Sequence, residues 1–175
     1  CYGGSTGSIT INPQGGTPPY DCFWTFNNQN TFTLFQTLPV GTYTAEVTDA
    51  NDCNTFVTVA INQPDSLTLV SSSVDASCFG YNDGSATVTA DGGVLPYTYN
   101  WSNGQSTQLD TMLSSGTYMV TVFDSNNCAA TANAEVNEPN QITANTTPIH
   151  ILCNGAATGV ITVNANGGAP PYIYS

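Results

Sequence analysis

The sequence predicts an all-β fold made of tandem β-sandwich repeats of the immunoglobulin-like or fibronectin-like kind. One pattern of Cys, Gly, Pro and aromatic residues recurs about every 75 residues. Within each copy, apolar residues alternate with polar ones at the period of a strand. Gly and Pro cluster between these segments, and no segment has the period of a helix. We therefore expect six or seven short strands in each complete copy.

The copies begin with a shared signature, a Cys followed by a variable residue and a Gly, at residues 1–3, 78–80 and 153–155. Each copy continues with a Gly-Gly pair and a Pro-Tyr pair. The first two also share a Trp, a Gly-Thr-Tyr triplet and a later Cys. The predicted domains are residues 1–65 for repeat 1, which lacks its first strand, residues 66–140 for a complete repeat 2, and residues 141–175 for the N-terminal part of repeat 3.

The strands of repeat 2 follow from its alternating residues. In chain order, the predicted strands contain residues 67–69, 86–88, 97–101, 109–113, 118–122 and 132–136. The recurring aromatic residues are expected to fill the core between the sheets, and they are Trp24, Trp101, Tyr43 and Tyr118. The alternative is a sugar-stacking platform formed by Tyr20, Trp24, Tyr97, Tyr99 and Trp101.

The chain contains no Lys or Arg, and its twelve Asp and Glu give a formal net charge of -12. Nucleic acid is therefore excluded as a partner, because phosphate binding depends on cationic side chains. An anionic membrane surface is disfavoured for the same reason. No apolar run approaches the roughly 20 residues of a membrane span. A chain without tryptic sites is also suited to a protease-exposed extracellular location.

Six cysteines in a chain of small domains fit an oxidising extracellular environment. Pairing within each repeat is the simplest scheme, and it joins Cys1 to Cys53 and Cys78 to Cys128. Pairing between neighbours, such as Cys53 with Cys78, is the alternative. The first scheme leaves Cys22 and Cys153 outside the two disulfides. Because Cys22 replaces the Tyr of the other copies, it is expected to face the core as a small apolar side chain.

Asp49 and Asp124 begin Asp-x-Asn-x-Cys turns, in which a carboxylate can accept hydrogen bonds from backbone N–H groups. The alternative is weak calcium binding, and its candidate ligands are Asp49, Asn51, Asp52, Asp124 and Asn126. We expect no cofactor and no other metal. The single histidine, His150, has no repeated catalytic neighbours, so no catalytic residue is predicted and the chain is not expected to be an enzyme.

The residues from Cys78 to Cys128 carry the pattern Cys-Phe-Gly, Gly-Ser-Ala-Thr-Val, Gly-Gly, Pro-Tyr-x-Tyr-x-Trp-Ser-Asn-Gly, Gly-Thr-Tyr and Asp-x-Asn-x-Cys. This pattern resembles the SprB repeat family, and matching copies extend the resemblance over the chain. The resemblance implies a giant cell-surface adhesin of gliding Bacteroidota, exported by the type IX secretion system. Cys22 in place of Tyr, and the absence of Lys and Arg, depart from the pattern without threatening the fold.

These observations predict a structural segment, the stalk or filament shaft of a secreted surface adhesin used for attachment or gliding. The alternatives are a polysaccharide-binding repeat and a spacer in a secreted hydrolase. The expected partners are neighbouring repeats, with lateral self-association or surface polysaccharide as further options. Two tripeptides resemble the Asp-Ser/Thr-apolar acceptor for O-glycosylation in Bacteroidota, and their candidate acceptors are Ser66 and Thr111.

Overall fold

The computed structural model describes residues 1–25, 29–30, 35–152, 154–155 and 157–175, and within them every regular element is a β-strand. The prediction of an all-β fold is confirmed. The strands are β1 (Gly7–Ile9), β2 (Asp21–Trp24), β3 (Gln29–Asn30), β4 (Phe35–Leu38), β5 (Gly41–Thr48), β6 (Asn54–Ile61), β7 (Thr68–Val74), β8 (Gly84–Asp91), β9 (Thr98–Trp101), β10 (Leu109–Leu113), β11 (Gly116–Phe123), β12 (Ala129–Val136), β13 (Thr143–Ile149) and β14 (Val160–Asn166).

Repeat 2 is a sandwich of two antiparallel three-stranded sheets, with strand orders β10-β8-β7 and β12-β11-β9. The residues that alternate in the sequence face each other across the sandwich. Because a fully buried Val or Leu side chain contributes about 1.5–3 kcal/mol, the residues of this layer stabilise the sandwich. The buried core residues are Ala86, Val88, Trp101, Leu113, Val120, Val122, Ala134 and Val136.

Strand β10 departs from simple alternation. Leu109 is 50% exposed, whereas its neighbour Asp110 is only 1% exposed. Met112, at φ 62°, is an extra residue in this strand, since Thr111 pairs with Ser85 and Leu113 with Gly84. This β-bulge returns Leu113 to the core, so Leu109 and Leu113 do not share an inward face.

The first and last strands of repeat 2 lie side by side and run in the same direction. The Ser71 and Ser73 hydroxyls donate to the carbonyls of Asn133 and Glu135, at 2.6 and 2.5 Å. The chain therefore enters repeat 2 at the end that holds Thr68 and leaves it at the opposite end, after Val136. We call these the leading end and the trailing end of the repeat.

Repeat 1 has equivalent sheets, β1-β4 and β3-β2-β5-β6, around its own core. Val57 and Val59 pair with the buried Ala45 and Tyr43, so their side chains point to the core side of the sheet. They are nevertheless 41% and 38% exposed, whereas the equivalent of Val59 in repeat 2, Ala134, is 3% exposed. In repeat 2, β7 lies against β12 beside this position. Repeat 3 contributes the hairpin of β13 and β14, which corresponds to β7 and β8.

The Gly-Gly pairs of repeats 2 and 3 form loops that contact the start of their own repeat. Gly92 has φ +77°, and a Cβ atom there would lie 2.1 Å from the carbonyl oxygen of Ser66. Gly167, at φ +75°, would meet the carbonyl oxygen of Gln141 at the same 2.1 Å. Each position thus requires glycine for two reasons: its φ is positive, and no space is available for a Cβ atom.

The close approach of Gly92 to Ser66 predicts a large effect of Gly92→Ala on repeat 2. A positive φ costs a non-Gly residue about 1 kcal/mol, and the overlap with Ser66 adds to that. We expect the free energy of unfolding to fall by about 2–4 kcal/mol. The measurement is denaturant unfolding in a Trp24→Phe background, where Trp101 fluorescence reports on repeat 2.

Gly80→Ala is the matched control, because Gly80 has φ +74° and no heavy atom within 4 Å of its added Cβ. It should lose only the conformational contribution. Equal losses in Gly92→Ala and Gly80→Ala would contradict the role of the contact with Ser66.

Candidate functional site

Across the described ranges, no three His, Cys, Asp or Glu side chains are grouped so that they could hold a metal ion. His150 is exposed just after β13. No helix in this part of the chain is long and apolar enough to cross a membrane. The residues with specific chemistry lie instead in the turns at the ends of the repeats, which hold Cys1, Cys53, Cys78 and Cys128 and the carboxylates that accept backbone N–H groups.

The Asp-x-Asn-x-Cys turns join the last two strands at the leading end. Asp49 Oδ1 accepts hydrogen bonds from the N–H groups of Asn51 and Cys53, at 2.9 and 3.0 Å. Asp124 Oδ1 accepts the equivalent bonds from Asn126 and Cys128, both at 2.8 Å. The carboxylate therefore closes the turn, as the sequence interpretation proposed.

The residue before each cysteine explains a further part of this motif. Asp52 and Asn127 have φ 60° and 59°, the left-handed region that Asp and Asn tolerate better than most residues. Their N–H groups donate to the carbonyls of Asp49 and Asp124, both at 3.0 Å. A turn of this kind, followed by a left-handed residue, is a common three-residue hairpin connection.

Asp49 also joins the turn to the Gly-Gly loop, since its Oδ2 accepts the N–H of Thr17 at 3.0 Å. The backbone N–H donors of Thr17, Cys53 and Asn51 hold the pKa of Asp49 below its usual range. Both carboxylate oxygens of Asp49 thus accept hydrogen bonds from backbone N–H groups. Asn51 uses its side-chain amide to donate to Thr17 Oγ1 at 3.0 Å.

A second recurring turn lies at the trailing end and contains the first cysteine of each repeat. The N–H of Tyr81 donates to the carbonyl of Cys78 at 3.1 Å, and Gly80 takes a positive φ of 74°. The Gly80 N–H donates to Glu138 Oε2 at 2.6 Å, just beyond β12. In repeat 1 the Gly3 N–H donates to Gln63 Oε1 at 2.8 Å, just beyond β6.

The structure contradicts the expected disulfides within repeats. Cys53 and Cys78 are exposed free thiols, whereas Cys1 and Cys128 are each disulfide-bonded. Neither Cys1–Cys53 nor Cys78–Cys128 is therefore formed. Cys153 was expected to lie outside both disulfides, and it is not among the residues that the structure describes.

The physical reason is the strand topology. Cys78 lies at the trailing end, near Glu138, and Cys128 precedes β12 at the leading end. The eight residues of β12 separate them, and at about 3.4 Å per residue they span roughly 27 Å. A disulfide needs Cα atoms within about 7 Å. In repeat 1, β6 separates Cys53 from the Cys1 turn in the same way.

Cys22 is completely buried in the core of repeat 1, as the replacement of Tyr suggested. Burial raises the pKa of its thiol, because the charged thiolate is disfavoured away from water. It lies beside Trp24 and Ala45 in the cluster that fills this repeat. Its position is that of a packing residue.

The repeated aromatic residues are occupied by packing and by local hydrogen bonds. Trp24 and Trp101 are 1% and 2% exposed, and Trp101 Nε1 donates to the Thr107 carbonyl at 2.9 Å. Tyr43 and Tyr118 donate to the carbonyls four residues earlier, Pro39 and Ser114, at 2.8 and 3.0 Å. These contacts match the tyrosine corner of immunoglobulin-like sandwiches. The sequence interpretation placed both Tyr in the core but missed this bond, whose signal is the Gly-Thr-Tyr triplet.

The five residues of the alternative platform do not form an open aromatic surface. Tyr20 is only partly exposed, and its hydroxyl donates to the carbonyl of Gly15 at 2.5 Å. Tyr172 makes the equivalent bond to Gly167 in repeat 3. The Tyr of the Pro-Tyr pair thus forms a hydrogen bond to the Gly-Gly loop in both repeats. Tyr97 and Tyr99 pack against the core of repeat 2.

A different aromatic surface is exposed on repeat 1. Phe23 pairs with Glu46, and Glu46 pairs with Phe56, so the three side chains form a row on the outer face of the sheet. Phe23 is 41% and Phe56 is 64% exposed. The corresponding residues in repeat 2 are Asn100, Thr121 and Thr131. We call Phe23, Glu46 and Phe56 the outer row.

Repeat 1 also contains an open groove of about 490 Å³. It is lined by residues 10–16 and by Tyr20, Val47, Cys53 and Val57, among others. The equivalent space in repeat 2 holds the start of β7.

The two candidate glycosylation sites differ in accessibility. Asp65 and Ser66 are both exposed. Thr111 is exposed, but the Asp110 that precedes it is buried, and its Oδ2 accepts from Asn103 Nδ2 at 2.8 Å. Asp110 Oδ1 is a buried oxygen without a hydrogen-bond partner among the described residues.

A sequence model of the SprB repeat matches residues 1–25, 70–106 and 143–175. No curated protein matches the chain. Among solved structures, it is similar to a C-terminal 282-residue fragment of intimin in complex with the intimin-binding domain of the translocated intimin receptor. The TM-score is 0.42 at 17% identity, over 79% of this chain and 59% of that fragment. The chain thus spans less than two thirds of the fragment's length.

The depressed pKa of Asp49 predicts a loss of stability in acid. Because the folded pKa lies below the unfolded value of about 3.9, the stabilisation is complete above that value and is lost as the pH falls below it. Asp49→Asn should remove part of the decline in the melting temperature of repeat 1 between about pH 5 and pH 2. Melting curves recorded by circular dichroism at a series of pH values measure this decline.

The control is Asp52→Asn, which introduces the residue that repeat 2 carries at this position and should keep the decline. Identical pH profiles for Asp49→Asn and the unsubstituted chain would contradict the assignment.

The occupied carboxylate of Asp49 also predicts that calcium does not stabilise these turns. Millimolar CaCl₂ should leave the melting temperature unchanged relative to MgCl₂ at the same ionic strength. A calcium-specific increase that disappears in Asp49→Asn would restore the calcium interpretation.

Proposed function

Because the chain belongs to the SprB repeat family, we propose that it is part of the shaft of a large, secreted bacterial surface adhesin, used in attachment or gliding. The observation that supports a shaft most directly is the parallel placement of β7 and β12 in repeat 2. It puts the entry and the exit of the chain at opposite ends of the sandwich. A domain of this kind transmits tension along its strands.

Tension on the two ends of repeat 2 loads the contacts between β7 and β12 side by side. These contacts include the bonds from Ser71 and Ser73, and the bond from the Ala76 N–H to the Asn137 carbonyl at 2.9 Å. All of them must give way together before the strands slide. A shaft needs this resistance to force, which depends on the unfolding rate.

The chemistry of the surface suits an extracellular location. The chain has no Lys or Arg, so trypsin-like proteases find no cleavage site.

Export by the type IX system and O-glycosylation at Ser66 and Thr111 belong to the same proposal. Ser66 is the better acceptor, because both it and Asp65 are exposed, whereas Asp110 is buried. Intact-mass measurement of the native protein tests this, since an unmodified mass removes both sites.

The shaft proposal predicts that adhesion depends on the number of repeats. Cells carrying the full-length protein with repeats deleted as whole units, at the 65/66 and 140/141 boundaries, should lose surface attachment progressively. Substituting the outer row, as Phe23→Asn together with Phe56→Thr, should leave attachment unchanged. The opposite pattern, with attachment insensitive to repeat number and lost on outer-row substitution, would refute the shaft.

The strand contact has its own test in single-molecule pulling. Removing both hydroxyls in Ser71→Ala with Ser73→Ala should lower the unfolding force of repeat 2, since each hydrogen bond contributes about 1 kcal/mol. Ser72→Ala is the control, because Ser72 points to the other face of β7. An unfolding force that is equal in the double variant and in the control would contradict the mechanical role of the contact between β7 and β12.

A polysaccharide-binding repeat is the second candidate, and the exposed outer row of repeat 1 favours it. Exposed Phe rings beside Glu46 present apolar and hydrogen-bonding groups to a sugar. A glycan array separates the two functions: reproducible binding that is lost in Phe23→Asn with Phe56→Thr supports a binding module. Both substitutions introduce the residues that repeat 2 carries at these positions, so they preserve the sheet.

A further inference from the structure

We propose that the outer row of repeat 1 binds a protonated amine on a polysaccharide, so that its ligands are sugar chains with free amino groups. The row consists of Phe23, Glu46 and Phe56 on three neighbouring strands of one sheet. The inference names the ligand class of the second candidate function and rests on that function. The shaft does not depend on it.

The row places one carboxylate between two aromatic rings. Phe23 on β2 and Phe56 on β6 each pair with Glu46, which lies between them on β5. Neighbouring strands are about 4.8 Å apart, so a cation bound to Glu46 would have a Phe on each side at roughly that distance. A cation within about 6 Å of a ring is attracted by its negative face. One bound cation can therefore use all three side chains.

The Glu46 carboxylate is held in position and can still accept a further hydrogen bond. Asn54 Nδ2 donates to Glu46 Oε1 at 2.6 Å, which ties the side chain to β6. A carboxylate has two acceptor oxygens, so Oε2 can take an N–H of an ammonium group. Hydrogen bonds between two charged groups are stronger than neutral ones. Glu46 is thus the charged anchor of the row.

Charge complementarity favours a cationic ligand over a neutral or anionic one. The chain has no Lys or Arg and a formal net charge of -12, so it has no basic side chain of that kind to neutralise Glu46. Asp21 adds a second acid to the same face, where it pairs with Thr48. Charges of one sign on one surface raise the local concentration of the opposite ion.

The remainder of the face favours a sugar chain as the carrier of the amine. Thr44 and Thr58 lie in the next row, with their hydroxyl oxygens 3.0 Å apart, and such groups can bind the hydroxyls of a sugar. Phe23 and Phe56 are two strand spacings apart, about 10 Å, which is comparable to the length of a disaccharide. The rings can therefore contact alternate sugars while the amine of the sugar between them reaches Glu46.

Repeat 2 shows that the fold does not need the outer row. The corresponding residues are Asn100, Thr121 and Thr131, which have neither a ring nor a charge, and they pair in the same way. In repeat 1 the rings remain exposed, to 64% at Phe56. An exposed aromatic surface that packing does not require is typical of a binding site.

Titration of the 175-residue chain with two matched oligosaccharides tests the proposal. One is a short oligomer of glucosamine, used at mildly acidic pH so that its amines are protonated, and the other is its fully N-acetylated form. NMR chemical shifts report affinity and location together. We expect the glucosamine oligomer to bind about tenfold more tightly, with the shifts centred on β2, β5 and β6, since an exposed ion pair and two cation–π contacts are each modest.

Three variants separate charge, rings and overall electrostatics. Glu46→Gln keeps the acceptor for Asn54 but removes the charge, so it should weaken glucosamine binding about three- to fivefold and leave the acetylated oligomer unaffected. Phe23→Asn with Phe56→Thr should weaken the binding of both oligomers. The control is Glu135→Gln, which removes the same charge from β12 in repeat 2 and should change neither affinity.

The other outcomes overturn the proposal in distinguishable ways. Equal weakening by Glu46→Gln and Glu135→Gln would mean that the oligomer responds only to net charge. Equal affinity for the two oligomers, lost in Phe23→Asn with Phe56→Thr, would remove the amine preference and retain the sugar-binding repeat. No binding of either oligomer would remove both. Tighter binding of an oligolysine at the row would replace the polysaccharide with a protein partner. The shaft is tested separately, by repeat number.

Discussion

The contact between the first and last strands of repeat 2 determines most other properties of the chain. Because Ser71 and Ser73 bind the backbone of β12 in a parallel arrangement, entry and exit occur at opposite ends. That geometry separates the two cysteine turns of a repeat. It also places the Gly-Gly loop beside the incoming linker, where Gly92 contacts Ser66. The ends of the repeat therefore carry its specific chemistry, and the middle is packed core.

The carboxylates of this chain stabilise its turns through hydrogen bonds rather than through salt bridges to Lys or Arg. With no Lys or Arg available, they accept hydrogen bonds from backbone N–H groups and hydroxyls. Asp83 binds both the N–H and the hydroxyl of Ser77, at 2.9 and 2.5 Å, and the hydroxyl contact is the main reason that its pKa is lowered. Asp75 binds the Asn137 N–H at 2.8 Å. Short-range bonds of this kind are less sensitive to salt than exposed ion pairs are.

Period-two patterns predicted the strands and the buried Val and Trp residues because alternation directly reports which face is covered. The Asp49 and Asp124 turns were predictable for a similar reason, since they depend on local spacing. The disulfide pairing could not be predicted from the sequence, because it depends on which end of the sandwich each cysteine turn occupies. The bulge at Met112 was also hidden, since no glycine marks its positive φ. The outer row could not be predicted from the sequence, because Phe23 and Phe56 are far apart along the chain and repeat 2 has no aromatic residue at either position.

The Gly-Gly loops have a consequence for how the sequence can vary between repeats. A Cβ atom at Gly92 or at Gly167 would lie 2.1 Å from a backbone carbonyl oxygen, so another residue at either position would displace the chain that it contacts. We therefore expect substitutions to accumulate at exposed positions of the strands before they appear in these loops.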